Sequence, residues 1–206
     1  MRPEIRSYPT LLDMSRAGAE FIAELAEARI REKGIFTFVL SGGSTPRQLY
    51  QELASQTIST RIDWQYTHLF WGDERFLPPD HPESNFALAF EALISKVDFP
   101  PANINRISTE IYSARAAAEQ YEQTLRNLFP PAGGSGAEPY FPSFDLVLLG
   151  IGKDGHIASL FPGDEALEEK ERWVVAVDGA KASPPVPRIT LTLPAINNAR
   201  HVIFLA

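Results

Sequence analysis

The chain has 206 residues, with 19 Lys and Arg against 26 Asp and Glu, a formal net charge of -7 and no cysteine. That length allows one sizeable core, expected as one domain, and the acidic balance argues against a nucleic-acid groove or an anionic membrane surface, which need clustered cations. The missing thiols remove disulfides, thiolate nucleophiles and thiolate metal sites together.

The N-terminus, MRPEIRSYPTLLDMS, has no apolar stretch resembling a signal peptide, and no segment reaches membrane-spanning length. A cytoplasmic protein that binds a small polar or anionic metabolite is the expectation. A short strand is expected near Ile5. Thr10 and Asp13 then form a capping box, and Phe21, Ile22, Leu25, Arg29 and Ile30 share one helix face until Gly34. The strand IFTFVL (35–40) runs into SGGSTP, where Pro46 suits a first helical turn and the helix continues over 48–56. THLFW (67–71) is a second strand, followed by GDERFLPPDHPE and a helix over 85–96. A weak strand over 104–107 precedes an alanine-rich helix over 114–129, and PPAGGSGAEPYFPS (130–143) reads as a mobile loop with no phosphate-binding role. FDLVLLG, WVVAV (173–177), RITLTL (188–193) and HVIFLA (201–206) complete the strands.

Strands that are oily on both sides and alternate with helices predict an α/β fold around a parallel sheet covered on both faces. Ligands of such sheets bind outside the carboxyl ends of the strands. Three glycine-bearing segments sit there: SGGST, GDER and GIGKDGH.

SGGSTP offers backbone N–H groups, the hydroxyls of Ser41, Ser44 and Thr45, and a helix N-terminus to an anion; alternatively it is a tight turn before a capped helix. No Walker lysine follows, which argues against a nucleoside triphosphate. In GDER, Asp73 can orient a hydroxyl or a base and Arg75 can pair with an anion; alternatively Asp73, Glu74 and Arg75 neutralise one another at the surface. His81 matches no common zinc spacing, and His68 and His201 read as structural or exposed. GIGKDG satisfies G-x-G-x-x-G with Asp178 further on, but Pro162 and Gly163 interrupt the long helix that a dinucleotide turn must open. Two readings of His156 remain. It is either a packed or capping histidine, or a general base oriented by Asp154, with glycine N–H groups facing a developing oxyanion. Arg188 either reaches into the cleft to hold an anion or lies in solvent.

Together, SGGSTPRQLY, WGDERFLPPDHPESNFALA, GIGKDGHIASLFPG and PRITLTLPAINNAR resemble the 6-phosphogluconolactonase family over nearly the whole chain. The resemblance implies a three-layer α/β/α fold with a mostly parallel sheet, shared with glucosamine-6-phosphate deaminases, ribose-5-phosphate isomerases and CoA transferases. It implies hydrolysis of 6-phosphoglucono-δ-lactone in the oxidative pentose phosphate pathway, without a required metal or organic cofactor, and a functional link to glucose-6-phosphate dehydrogenase. Carried over by position, His156 is the general base, and Asp154 and Asp73 orient it or the sugar hydroxyls. Ser41, Gly42, Gly43, Ser44, Thr45 and Arg188 hold the 6-phosphate, with Arg75 lining the same pocket. Gly152 and Gly155 let the backbone approach the reacting carbon, and Lys153 counts with the binding residues.

Two rivals remain. The deaminase branch follows the shared GHIA with an Asn-Glu pair, where this chain has Ser159, Leu160 and Phe161. A non-catalytic sugar-phosphate sensor of the same fold need not keep His156. Family members continue beyond the strand matching HVIFLA with a helix and a strand, so a domain lacking those two elements is expected.

Overall fold

The computed structural model describes residues 3–131, 140–180 and 182–206. Most of the loop expected over 130–143 therefore lies outside the described residues.

In chain order the elements are α1 (Leu11–Lys33), β1 (Phe36–Leu40), α2 (Ser44–Leu53), α3 (Gln56–Ser59), β2 (Thr67–Trp71), β3 (Asp73–Arg75), α4 (Asn85–Ala92), β4 (Ile104–Asn105) and α5 (Ala114–Leu128). They continue with β5 (Leu146–Gly150), β6 (Val174–Val177), β7 (Arg188–Leu191), α6 (Leu193–Asn197) and β8 (Val202–Leu205). Five strands form a parallel sheet in the order β4-β2-β1-β5-β8. Central β1 is buried at every residue and β5 at all but Gly150, as expected of mostly apolar strands covered by helices. The fold is of the expected α/β class.

The capping box of α1 forms as read: Thr10 Oγ1 accepts from Asp13 N at 3.1 Å and donates to Asp13 Oδ2 at 2.7 Å. Gly34, at φ 78°, ends the helix in the left-handed region that a side chain disfavours. The buried stripe of α1 is Ser15, Ala19, Ile22, Ala23 and Ala26, while Phe21, Leu25 and Ile30 pack at its margin. Small residues at the centre let α1 approach α2 closely; a Cβ on Gly18 would stand 3.2 Å from Leu49 Cδ1.

The structure corrects four details. Residues 3–8 form no strand, and Ile5 is exposed. The helix expected over 85–96 breaks at Leu93, whose φ of -135° and ψ of -62° separate α4 from a 3-10 turn over Ile94–Lys96. The run RITLTL stops at Leu191 and gives way to α6, which carries Pro194 in its first turn. Finally, β6 and β7 do not join the parallel sheet. With β3 they form a separate antiparallel sheet in the order β3-β7-β6.

Gly72 stitches the two sheets together. Its N–H donates to Leu40 O of β1, while its carbonyl accepts from Leu191 N of β7. Helix α5 joins them a second time: Tyr121 Oη bonds the backbone of Trp71, and Glu122 Oε2 accepts from Trp173 N and Val174 N. No described helix is long and apolar enough to cross a membrane.

Candidate active site

The strand order fixes where a site belongs. From β1 the chain builds outward through β2 to β4, then returns to the other side of β1 with β5 and β8. The crevice at the carboxyl ends of β1 and β5 is thus the switch point at which open α/β sheets take ligands. A cavity of about 310 Å³ opens there.

One wall is the turn after β1. Ser41 is pinned at both backbone groups by Tyr50 Oη, which accepts from Ser41 N at 2.9 Å and donates to Ser41 O at 2.7 Å. Complete burial pushes the Tyr50 phenol well above its ordinary range, so it stays a neutral strut. Gly43, at φ 108°, caps α2 without a side-chain bond, and α2 begins at Ser44 beside the cavity.

The second wall is the turn after β5. Gly152 N donates to His156 O at 2.8 Å and Gly155 N to Gly152 O at 2.9 Å, so these two N–H groups close the turn and are not free for an oxyanion. Gly152 must lack a side chain, since a Cβ there would meet His156 Cε1 and Nδ1 at 2.2 Å. Gly155 takes a φ of 87°, and Ala158, a cavity residue, a φ of 48°; the latter is a strained conformation for a side chain. The His156 ring rests on Phe161 with centroids 4.7 Å apart, and its Nδ1 lies 2.5 Å from Asp154 Oδ1. A proton on Nδ1 satisfies that contact, and Nε2 has no hydrogen-bond partner among the described residues. The same hydrogen bond holds the Asp154 carboxyl below its ordinary range.

The third wall comes from the small sheet. Asp73 and Arg75 of β3 lie opposite Thr190 and Arg188 of β7, so register brings the two arginines side by side. Arg75 donates through a terminal nitrogen to Glu83 O, and Arg188 donates to Ser183 O and Pro184 O. Neither makes a salt bridge among the described residues, and both Nε groups are buried without a partner. Arg188 is only 3% exposed. Burial, and then the Arg75 charge, press its pKa down; Asp73, Glu74 and Glu83 hold it up. Two close, incompletely satisfied cations suit an anion.

Of the two readings of GDER, mutual neutralisation at the surface is not found: no ion pair joins Asp73, Glu74 and Arg75 among the described residues. Glu74 turns inward at 2% exposure and holds the start of α4, accepting from Asn85 N, Phe86 N and Ser84 Oγ at 2.8 to 3.0 Å. Burial pushes its carboxyl up against those bonds. Asp73 makes no bond to His156. Its Oδ2 accepts from Ser159 Oγ at 2.6 Å and its Oδ1 from Asn85 Nδ2 at 3.2 Å, which ties the His156 loop to β3.

Ser41 to Thr45, Asp73, Arg75, Gly152, His156 and Arg188 all line the one cavity. Asp154 acts from behind His156, Gly155 shapes the turn, and Lys153 is exposed outside the lining. His81 accepts from Glu83 N, while His68 in β2 and His201, whose Nδ1 faces Asp145 O, lie away from the cavity. Reading the sequence missed Asn85, and it took Glu74 only as part of the GDER cluster and Ser159 only as a departure from the deaminase branch. The only signal was that Ser84 and Asn85 open a helix, which an ordinary cap already explains.

The sequence profile described as glucosamine-6-phosphate isomerases/6-phosphogluconolactonase matches residues 9–206. A chloroplastic 6-phosphogluconolactonase 3 of Arabidopsis thaliana is 43% identical over 89% of this chain, which spans 56% of that protein's length. A 6-phosphogluconolactonase of Nostoc sp. is 40% identical over 100% of this chain and 80% of its own. Among solved structures, 6-phosphogluconolactonase from Trypanosoma brucei superposes with a TM-score of 0.88 at 34% identity, covering 100% of this chain and 82% of that one.

Proposed function

The chain belongs to the glucosamine-6-phosphate isomerase/6-phosphogluconolactonase family, and from that premise we propose that it hydrolyses 6-phosphoglucono-δ-lactone to 6-phosphogluconate. One observation carries the reading: His156, with Nδ1 tied to Asp154, faces the same cavity as two arginines that form no salt bridge among the described residues. The arginines and the Ser41 to Thr45 turn hold the 6-phosphate. His156 Nε2 takes a proton from water as its oxygen bonds to the lactone carbonyl carbon. The tetrahedral adduct then expels the ring oxygen, which recovers that proton from the imidazolium. Asp154 keeps the tautomer and stabilises the charged ring. The substrate is supplied by oxidation of a hexose 6-phosphate at C1, the link to glucose-6-phosphate dehydrogenase.

Ser159 supports lactone hydrolysis over amine chemistry. Where the deaminase branch carries its Asn-Glu pair, this side chain is spent on Asp73 and lies outside the cavity lining. The test is lactone consumption coupled to 6-phosphogluconate dehydrogenase, corrected for spontaneous hydrolysis. His156→Ala is expected to lower kcat about 10²- to 10⁴-fold with Tm unchanged. A folded variant with near-normal turnover refutes the assignment, and a wild-type rate equal to background refutes the reaction.

A further inference from the structure

Asn85 has no part in the reaction just described, yet it is 2% exposed and lines the cavity. Its amide orientation follows from its partners: Nδ2 donates to Asp73 O at 2.9 Å and to Asp73 Oδ1 at 3.2 Å, both pure acceptors. Reversing the amide would set oxygen against oxygen. Oδ1 is therefore turned away from Asp73, and it is buried without a hydrogen-bond partner. It passes so close to Gly42 that a Cβ there would stand 1.9 Å from it. Gly42 thus makes room for this oxygen as well as shaping a turn. Native proteins rarely strand a buried carbonyl, and this one belongs to a residue of the cavity wall, beside the Gly42 turn.

We propose that Asn85 is a specificity-determining residue whose Oδ1 accepts a hydrogen bond from one hydroxyl of the sugar phosphate. The inference rests on the lactone reading above, and it names what that reading leaves open. A phosphate dianion offers only acceptors, so it answers the unpartnered Arg75 and Arg188 Nε groups but cannot answer Asn85. The ligand must carry an anion and a hydroxyl donor together. Glu74, by holding Asn85 N and Phe86 N, fixes the reader before substrate arrives.

The test compares kcat/KM for the parent lactone with lactones lacking the 2-, 3- or 4-hydroxyl, in the wild type and in Asn85→Ala. The wild type is expected to lose about 10- to 100-fold on one of the three, and Asn85→Ala to shrink that ratio below about threefold. Asn85→Ser, which keeps a short side-chain donor beside Asp73 while Ser84 still caps α4, serves if the alanine variant fails to fold. A wild type blind to all three, or a folded variant that discriminates as the wild type does, overturns the proposal. Titration calorimetry with 6-phosphogluconate and with inorganic phosphate separates this from failure of the lactone reading. Preferential binding of 6-phosphogluconate that disappears in the variant upholds Asn85 even without hydrolysis. Equal affinity of the wild type for both ligands overturns it.

Discussion

At the N-terminal ends of β1 and β5, the fully buried Asp145 carboxylate takes three donors on Oδ2: Thr37 N, Thr37 Oγ1 and Lys33 Nζ, at 2.8 to 2.9 Å. Arg200 stands 3.8 Å from the other oxygen, which accepts no hydrogen bond among the described residues but keeps a cation beside it. At the opposite ends of the same strands, the almost completely buried Arg188 faces Arg75, another cation, and two Nε donors go unanswered. A buried charge that finds its counterion within the chain binds elements together. One that meets its own sign holds binding capacity in reserve, at some expense to the empty protein.

Removing the charge that has its counterion within the chain gives the largest expected effect on the fold. Asp145→Asn should lower stability by about 3 kcal/mol, roughly 6–12 °C in Tm, while leaving kcat/KM of the folded fraction near wild type. A Tm within about 2 °C of wild type would erase the contrast between the two ends. Removing the unsatisfied charge should act the other way round. Arg188→Met is expected to raise KM for the lactone about 10- to 100-fold with little change in kcat and no loss of Tm. It should also lose most of the thermal stabilisation that added phosphate gives the wild type. A lower Tm with unchanged KM would make Arg188 a structural residue. The smallest effect belongs to a satisfied charge at the surface. Arg106 draws the Glu110 carboxyl down from 4.5 to about 2. Because the folded pKa is depressed, the pair stabilises above about pH 4.5, and its contribution fades as pH falls toward about 2. Glu110→Gln should therefore cost at most about 1 kcal/mol at pH 7, since the pair is partly solvated, and the Tm difference should vanish in acid. A pH-independent difference would point to packing instead.

The central strands of the parallel sheet were legible because burial on both faces demands mostly apolar runs, as in FTFVL and LVLLG. WVVAV and RITL show the same runs, and nothing in an apolar run reveals whether its partner lies parallel or antiparallel, so the second sheet stayed hidden. DER is invisible as a strand on composition alone. Within the site, His156 and SGGST announce themselves by local glycine chemistry. The hydrogen bond from Ser159 to Asp73 spans 86 residues, and Glu74 looks like a surface acid until the fold turns it inward. Several of the cavity-lining groups were readable from local pattern; the groups that hold them were created by distant contacts.

The cavity draws its walls from two sheets that are otherwise joined through Gly72 and across α5. A sugar phosphate seated between the Ser41 to Thr45 turn and Arg188 is consequently a removable cross-link. By mass action, a ligand at 100 times its Kd adds about 2.7 kcal/mol to the folded state. If the proposed ligand binds there, the amides of β3 and β7 are expected to exchange more slowly with solvent in its presence, with fewer openings for a protease.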